Sequence, residues 1–347
     1  MSSDRLLLPL ELWLERKSHD VTCFPTGKNY FNRYMQLKEH LETNYYPHIG
    51  AALGSTDGLV FTSHNKDHFD KVIMLAGELL GLTNSDVDGS EAIGIEPYES
   101  FILLCGILLH DAGNIYGRVG HEKNAFKIFT EASDREADRT ELKAIARIAE
   151  AHGGHTKKVE DPKDTIGALP HEETEYLGKK YRPKLLAGIL RFADEICEDR
   201  TRAAIPLLNS GDLGGAEVFH KYALSISSVH FDKNDKSVVI KFVVEKSDVM
   251  KTFKKNSDDV YLIDEITNRL DKMNAERVYC TRHTSEILQI RKIRATIDIV
   301  DESSFEEVIE PISILLEDSG YPSNVMTVSK VCPELTGVKI KDELSGM

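Results

Sequence analysis

Three separate segments of this 347-residue chain place histidine and aspartate where they could act on one centre. His110-Asp111 follows the apolar run Phe101 to Leu109 and precedes Ala112-Gly113-Asn114, so an apolar helix delivers an imidazole and a carboxylate where the backbone turns away. Upstream, His64 and His68 stand four apart in Thr62-Ser63-His64-Asn65-Lys66-Asp67-His68-Phe69-Asp70-Lys71-Val72, the spacing that stacks two side chains on one helical face. Downstream, Leu190-Arg191-Phe192-Ala193-Asp194-Glu195 sets an acid in an otherwise apolar helix after Leu185, Leu186 and Ile189. An unpaired carboxylate there is costly, so Asp194 requires a metal or an arginine. A lone His-Asp pair is also what a helix-capping histidine produces. Neutral imidazoles together with carboxylates, however, form a ligand set for a divalent ion.

In this order, with these neighbours, the residues resemble the HD-domain superfamily of metal-dependent phosphohydrolases over roughly residues 60 to 200. The resemblance implies an all-helical fold with His68 as first ligand, His110-Asp111 as the central pair and Asp194 as the last. His121, in Gly117-Arg118-Val119-Gly120-His121-Glu122, and His152, closing Ala144 to His152, stand where members with a second metal carry two further histidines. By that analogy Asp111 bridges two ions and takes part in catalysis. The plain alternatives are that His121 caps a helix and His152 bonds within a glycine turn. His64-Asn65-Lys66-Asp67-His68 is similar to the His-Asn-x-x-His of cyclic-nucleotide phosphodiesterases, which implies that His64 protonates the leaving oxygen; otherwise it caps a helix or supports a ligand. The purine-clamping glutamine and aromatic pair of those enzymes are not evident, so a cyclic mononucleotide is not identified.

Positive groups for substrate phosphates are Arg118, Lys66 and Arg191. Arg118 lies in the glycine loop leading to His121, where a guanidinium grips a phosphate bidentately. Arg191 and Arg200 are alternatively partners of Glu195, Glu198 or Asp199. His155 and His171 read as exposed.

The elements that must position these groups follow from periodicity. Up to about residue 205 the pattern is helical: Leu6 to Lys17, Tyr30 to Ala52, Asp67 to Leu80, Phe101 to Leu109, Asn124 to Ala132, Asp138 to Ala151 and Pro183 to Cys197. Loops hold Gly113, Gly117, Gly120, Gly153-Gly154 and the polar stretch Lys157 to Glu173. Past the linker Asn209 to Gly215, Tyr222 to His230 and Ser237 to Val244 flank Asp232-Lys233-Asn234-Asp235 as a hairpin. Asp258 to Ala275 reads as helix, Ile290 to Val300 as strand, Ser304 to Asp318 as helix and Asn324 to Val328 as strand. The expected fold is mainly α: an HD-type helical bundle over 1–208, with its core at about 60–200 and a helical extension at 1–55, followed by a smaller α+β domain over 216–347.

Composition bounds the function. With 41% hydrophobic and 29% charged residues the chain is globular. Forty-three basic against fifty-seven acidic residues give a net charge of −14, which disfavours a general nucleic-acid coat protein. Five scattered cysteines without a CxxC pair suggest neither a disulfide framework nor a thiolate zinc site. No signal-peptide pattern or membrane-length apolar run is present, so a cytoplasmic location without membrane association is expected.

The resemblance implies a metal-dependent phosphohydrolase that cleaves a phosphoester or phosphoanhydride bond of a nucleotide or signalling nucleotide through a metal-activated water. The expected cofactor is a divalent metal, as two ions drawn from Mn, Mg, Fe, Co, Ni or Zn. The expected partner is a small nucleotide-like substrate, with a short single-stranded nucleic acid as an alternative and a homo-oligomer as a further expectation. The competing classes are a nucleotide-binding sensor or scaffold with a structural metal, a nuclease on single strands, and a di-iron oxygenase.

Overall fold

The computed structural model describes residues 6–53, 66–83, 87–117, 119–133, 137–156, 161–318 and 327–346. They form two compact units, one holding the described residues up to Leu53, Lys66 to Asp194 and Cys280 to Gln289, the other Glu195 to Tyr279 and Ile290 onward. The protein is mainly α with a smaller α+β part.

The first unit is built from α1 (Pro9–Lys17), α2 (Tyr30–Asn44), α3 (Tyr46–Leu53), α4 (Lys66–Leu79), α5 (Pro97–Leu109), α6 (Ala125–Ala132), α7 (Arg139–Glu150) and α8 (Pro183–Glu195). Because α5 is apolar on every side it goes to the centre, where Tyr98 to Leu109 are buried and α1, α2, α4 and α7 pack around it. It begins at Pro97, whose missing N–H is harmless in a first helical turn, and the Glu99 carboxylate accepts the Glu96 N–H at 2.9 Å.

Buried ionic links fix the helices against each other. Lys38 on α2 reaches Glu11 on α1 at 2.7 Å and Asp70 on α4 at 2.6 Å. Glu141 on α7 accepts from Arg33 at 2.6 Å, Tyr30 at 3.0 Å and Tyr98 at 3.1 Å. Removing one partner from such a buried pair strands the other and typically costs about 3–5 kcal/mol. Between α7 and α8 the chain forms a hairpin, β1 (Thr174–Tyr176) and β2 (Lys179–Tyr181), turning through Leu177 and Gly178, both at positive φ. The sequence gives no alternating run long enough to announce it.

The second unit comprises α9 (Ile205–Ser210), α10 (Glu217–Ser225), β3 (Ile226–Asp232), β4 (Ser237–Glu245), α11 (Lys246–Val249), β5 (Thr252–Lys255), β6 (Asp258–Tyr261), α12 (Leu262–Thr284), β7 (Lys292–Val300), β8 (Ile312–Glu317), α13 (Val328–Val331) and α14 (Gly337–Ser345). Residues Cys280 to Thr284 of α12 count with the first unit. The four-stranded sheet has the order β3-β4-β7-β8, with β4 and β7 parallel and the other pairs antiparallel. Parallel pairing requires a crossover, which α12 provides. In register, Val238, Ile240, Phe242 and Val244 line up with Ile293, Ala295, Ile297 and Ile299 on one buried face.

Five expectations change here. The helix expected over Tyr30 to Ala52 is two, α2 and α3, broken at Tyr45. Ser304 to Asp318 is not a helix: Pro311 interrupts it, and Ile312, Ile314 and Leu316 share the strand period of β8. The helix expected from Asp258 starts at Leu262, since 258–261 pair with 252–255. Tyr222 to Ser225 end α10 rather than open β3. Val328 opens α13, while residues 324–326 of the expected last strand lie outside the described residues.

Candidate metal centre

Six side chains come together inside the first unit. His68 comes from the first turn of α4, and His110 is the residue at which α5 ends. Asp111 starts the 3-10 turn Ala112–Tyr116, and His121 opens a second such turn, His121–Asn124. His152 lies just past the end of α7, and Asp194 occupies the last turn of α8. Four helix ends thus aim their side chains at one region.

The six fall into two groups of three, His68-His110-Asp194 and Asp111-His121-His152, and within each group the ligand-type atoms lie within 4.8 Å of one another. In the first, the Nε2 atoms of His68 and His110 are 3.4 Å apart, and Asp194 Oδ1 is 3.4 Å and 3.5 Å from them. In the second, Asp111 Oδ1 is 2.8 Å from His121 Nε2 and 3.5 Å from His152 Nε2. The other Asp111 oxygen, Oδ2, faces the first group at 3.7 Å from His110 and 3.9 Å from His68. One carboxylate therefore offers one oxygen to each triad.

These donors suit a divalent ion. Ligands about 2.0–2.2 Å from a metal are held about 3.0–3.5 Å apart by tetrahedral or octahedral angles, the range seen in the first triad. The tautomers are fixed as well. His110 Nδ1 donates to the Ile107 carbonyl at 2.7 Å and His152 Nδ1 to the Ala149 carbonyl at 2.6 Å, which turns each Nε2 toward the carboxylates. Beside them, Asn114 is 1% exposed, and neither its Oδ1 nor its Nδ2 has a hydrogen-bond partner among the described residues. A buried amide of this kind ordinarily has a partner.

The electrostatics show how strongly this region favours positive charge. Burial by itself disfavours an imidazolium, yet the carboxylates of Asp111 and Asp194 overcome it and push His110 up to about 9. Burial likewise opposes ionisation of Asp194, but His110 and His68 win and hold its carboxyl well below the usual carboxylate range.

Local folding depends on a close approach at Gly113. A Cβ there would stand 2.0 Å from the His121 carbonyl oxygen, so only glycine lets the turn carrying Asp111 press against the turn carrying His121. Glu122, not singled out from the sequence, is buried with Oε2 3.6 Å from His121 Nδ1.

The remaining sequence candidates are placed as follows. Arg191, on α8 one turn before Asp194, is buried and donates to Thr165 Oγ1 at 2.8 Å and the Lys163 carbonyl at 3.2 Å. Thr165 in turn donates to the Ala151 carbonyl at 2.7 Å, so Arg191 is tied to the segment that presents His152. Glu195, on the same helix, is joined to Lys272 at 2.6 Å. Lys66 opens α4, is 49% exposed and lies 3.7 Å from Glu42. His155 and His171 are exposed. His64 and Arg118 lie outside the described residues.

Helix ends converging on paired His/Asp triads define an HD-type domain with two groups of side chains that could hold a metal. The HD-CE family model matches residues 56–272, and the chain belongs to that family. No curated protein and no solved structure matches the chain significantly. Among the described residues no single helix is long and apolar enough to cross a membrane.

Proposed function

We propose that the protein is a metal-dependent phosphohydrolase acting on a phosphoester or phosphoanhydride bond of a nucleotide or signalling nucleotide, with two divalent ions held by the two triads. The observation that carries this reading is the Asp111 carboxylate, which turns one oxygen to each group of donors. Divalent ions bound there supply Lewis-acid polarisation of phosphoryl oxygens and lower the pKa of water.

The chain's own residues set the conditions for that chemistry. His68, His110 and Asp194 would hold one ion, and Asp111, His121 and His152 the other. The backbone carbonyls of Ile107 and Ala149 hold the Nδ1 protons, so Nε2 is the nitrogen each imidazole turns to the centre. His64, four residues before His68, is assigned the proton delivery to the leaving oxygen, and Arg118 the grip on a substrate phosphate. Both assignments rest on the sequence.

The test is product analysis by mass spectrometry. Wild type and Asp111→Ala are incubated with nucleoside mono-, di- and triphosphates, cyclic mono- and dinucleotides and short single strands, in manganese or magnesium, with metal content measured in parallel. Turnover by wild type that is lost in Asp111→Ala, together with lower metal content, is the expected result. Metal-loaded wild type that turns over none of the panel would sink the hydrolase reading.

A further inference from the structure

A second ligand-sized feature lies on the opposite flank of α7 from its buried face. Leu142, Ile145, Ala146, Ile148 and Ala149 turn inward, while Arg139, Lys143 and Arg147 recur at four-residue steps and are exposed. At 1.5 Å per residue they form a row about 12 Å long with about 6 Å between neighbours. The row borders a groove of about 580 Å³ whose apolar wall includes Phe126, Leu169 and Pro170. That volume lies within the usual range for small-molecule sites, roughly 300–1,000 Å³. None of the groove residues belongs to the triads.

Its charge runs against that of the chain, which is net −14. Several cations elsewhere in this unit are paired, Arg33 with Glu141 and Arg182 with Glu99 among them. Arg139, Lys143 and Arg147 make no ion pair within 4.0 Å among the described residues. Glu141, the groove's buried carboxylate, is already taken by Arg33, Tyr30 and Tyr98. Glu175 lies at the exposed rim, and Lys180, opposite it in the β1–β2 register, is paired with Glu173 at 2.8 Å. Glu150, one turn on from Arg147, feels its charge but makes no ion pair with it within 4.0 Å among the described residues. The Arg139 guanidinium lies 5.4 Å over the Phe126 ring, joining the cationic row to the apolar wall.

We propose that this groove is a binding site for a nucleoside polyphosphate, distinct from the metal centre, with phosphates along Lys143 and Arg147 and the base against Phe126, Leu169 and Pro170. Three cations in a row match several linked phosphates better than a single carboxylate, and the apolar wall gives a base something to cover.

The experiment uses the full chain carrying Asp111→Ala, in excess chelator, so that neither hydrolysis nor metal-bridged binding contributes. ATP is titrated calorimetrically, beside adenosine and inorganic tripolyphosphate. ATP is expected to bind saturably and more tightly than either fragment, and Lys143→Glu with Arg147→Glu is expected to weaken it about tenfold or more. Lys143→Ala with Arg147→Ala, checked by circular dichroism, guards against a misfolded reversal variant and should weaken binding in the same direction. No saturable ATP binding, or unchanged affinity in both variants, overturns the site. Tripolyphosphate binding as tightly as ATP overturns the nucleoside part, and tighter binding of a ten-nucleotide single strand replaces the ligand with a nucleic acid. Because the measurement is made without turnover, its failure is separate from failure of the hydrolase reading.

Discussion

His110 stands 3.4–3.7 Å from His68 and from both carboxylates, and without a cation its own proton takes the cation's place. Its pKa is pushed up to about 9 from an ordinary 6.5, so the chelated protein gains stability that is fully present below pH 6.5 and lost as pH rises through about 9. Asp194, held low, contributes stability above the normal carboxylate range that disappears only in strong acid. With metal bound the sign reverses for His110, because metal binding releases the proton and so tightens with rising pH. Thermal unfolding between pH 6 and pH 9.5, with and without chelator, should therefore show a falling melting temperature only in the chelated sample. Parallel curves would contradict the assignment of His110 to the centre.

Among the elements, the two 3-10 turns after α5 decide whether the second triad forms. Gly113→Ala drives a methyl into the His121 carbonyl, and relieving such a clash typically costs about 1–3 kcal/mol of backbone shift. We expect the variant to lose metal from the Asp111-His121-His152 group while the His68-His110-Asp194 group still loads, as read by metal stoichiometry in the purified protein; two equally loaded sites would refute this. The Arg191–Thr165–Ala151 tether acts on the same triad from the other side. Thr165→Val removes the hydroxyl and keeps the shape, and should weaken metal binding at that triad about 10- to 100-fold, the usual effect of removing a supporting hydrogen bond. Equal affinity would make the tether irrelevant to His152. The clustering of these histidines and aspartates could be read from the chain because they recur, in order, at the ends of apolar helices. Arg191 could not. Its partners, Thr165 and the Lys163 carbonyl, lie in a loop with no periodic signal, and only tertiary structure brings that loop beneath α8. The strand β8 was hidden for a related reason: Ile312, Leu315 and Leu316 also satisfy a helical spacing, and its pairing with β7 is non-local.

For the whole molecule, net charge sets how anions arrive. At −14 the chain repels a nucleotide at long range, although individual cationic groups attract it at contact. Raising salt from about 0.01 M to about 0.15 M shortens the screening length from about 30 Å to about 8 Å, so kcat/KM for an anionic substrate should rise over that interval. Binding in the α7 groove, governed by close contacts with Arg139, Lys143 and Arg147, should weaken over the same interval. Stopped-flow kinetics and calorimetry across that series check the two signs; a kcat/KM that falls with salt would place a dominant positive field at the active-site mouth.

The first unit includes Cys280 to Gln289, well beyond Asp194 in the chain. Thr284 comes so near Gly188 on α8 that a Cβ there would be 2.8 Å from its methyl, and Ile287 lies as close to Gly94 just ahead of α5. During synthesis, then, the last ligand leaves the ribosome before the segment that braces its helix has been translated. A gene fragment ending at residue 272, where the family match stops, would encode every ligand and still omit that brace.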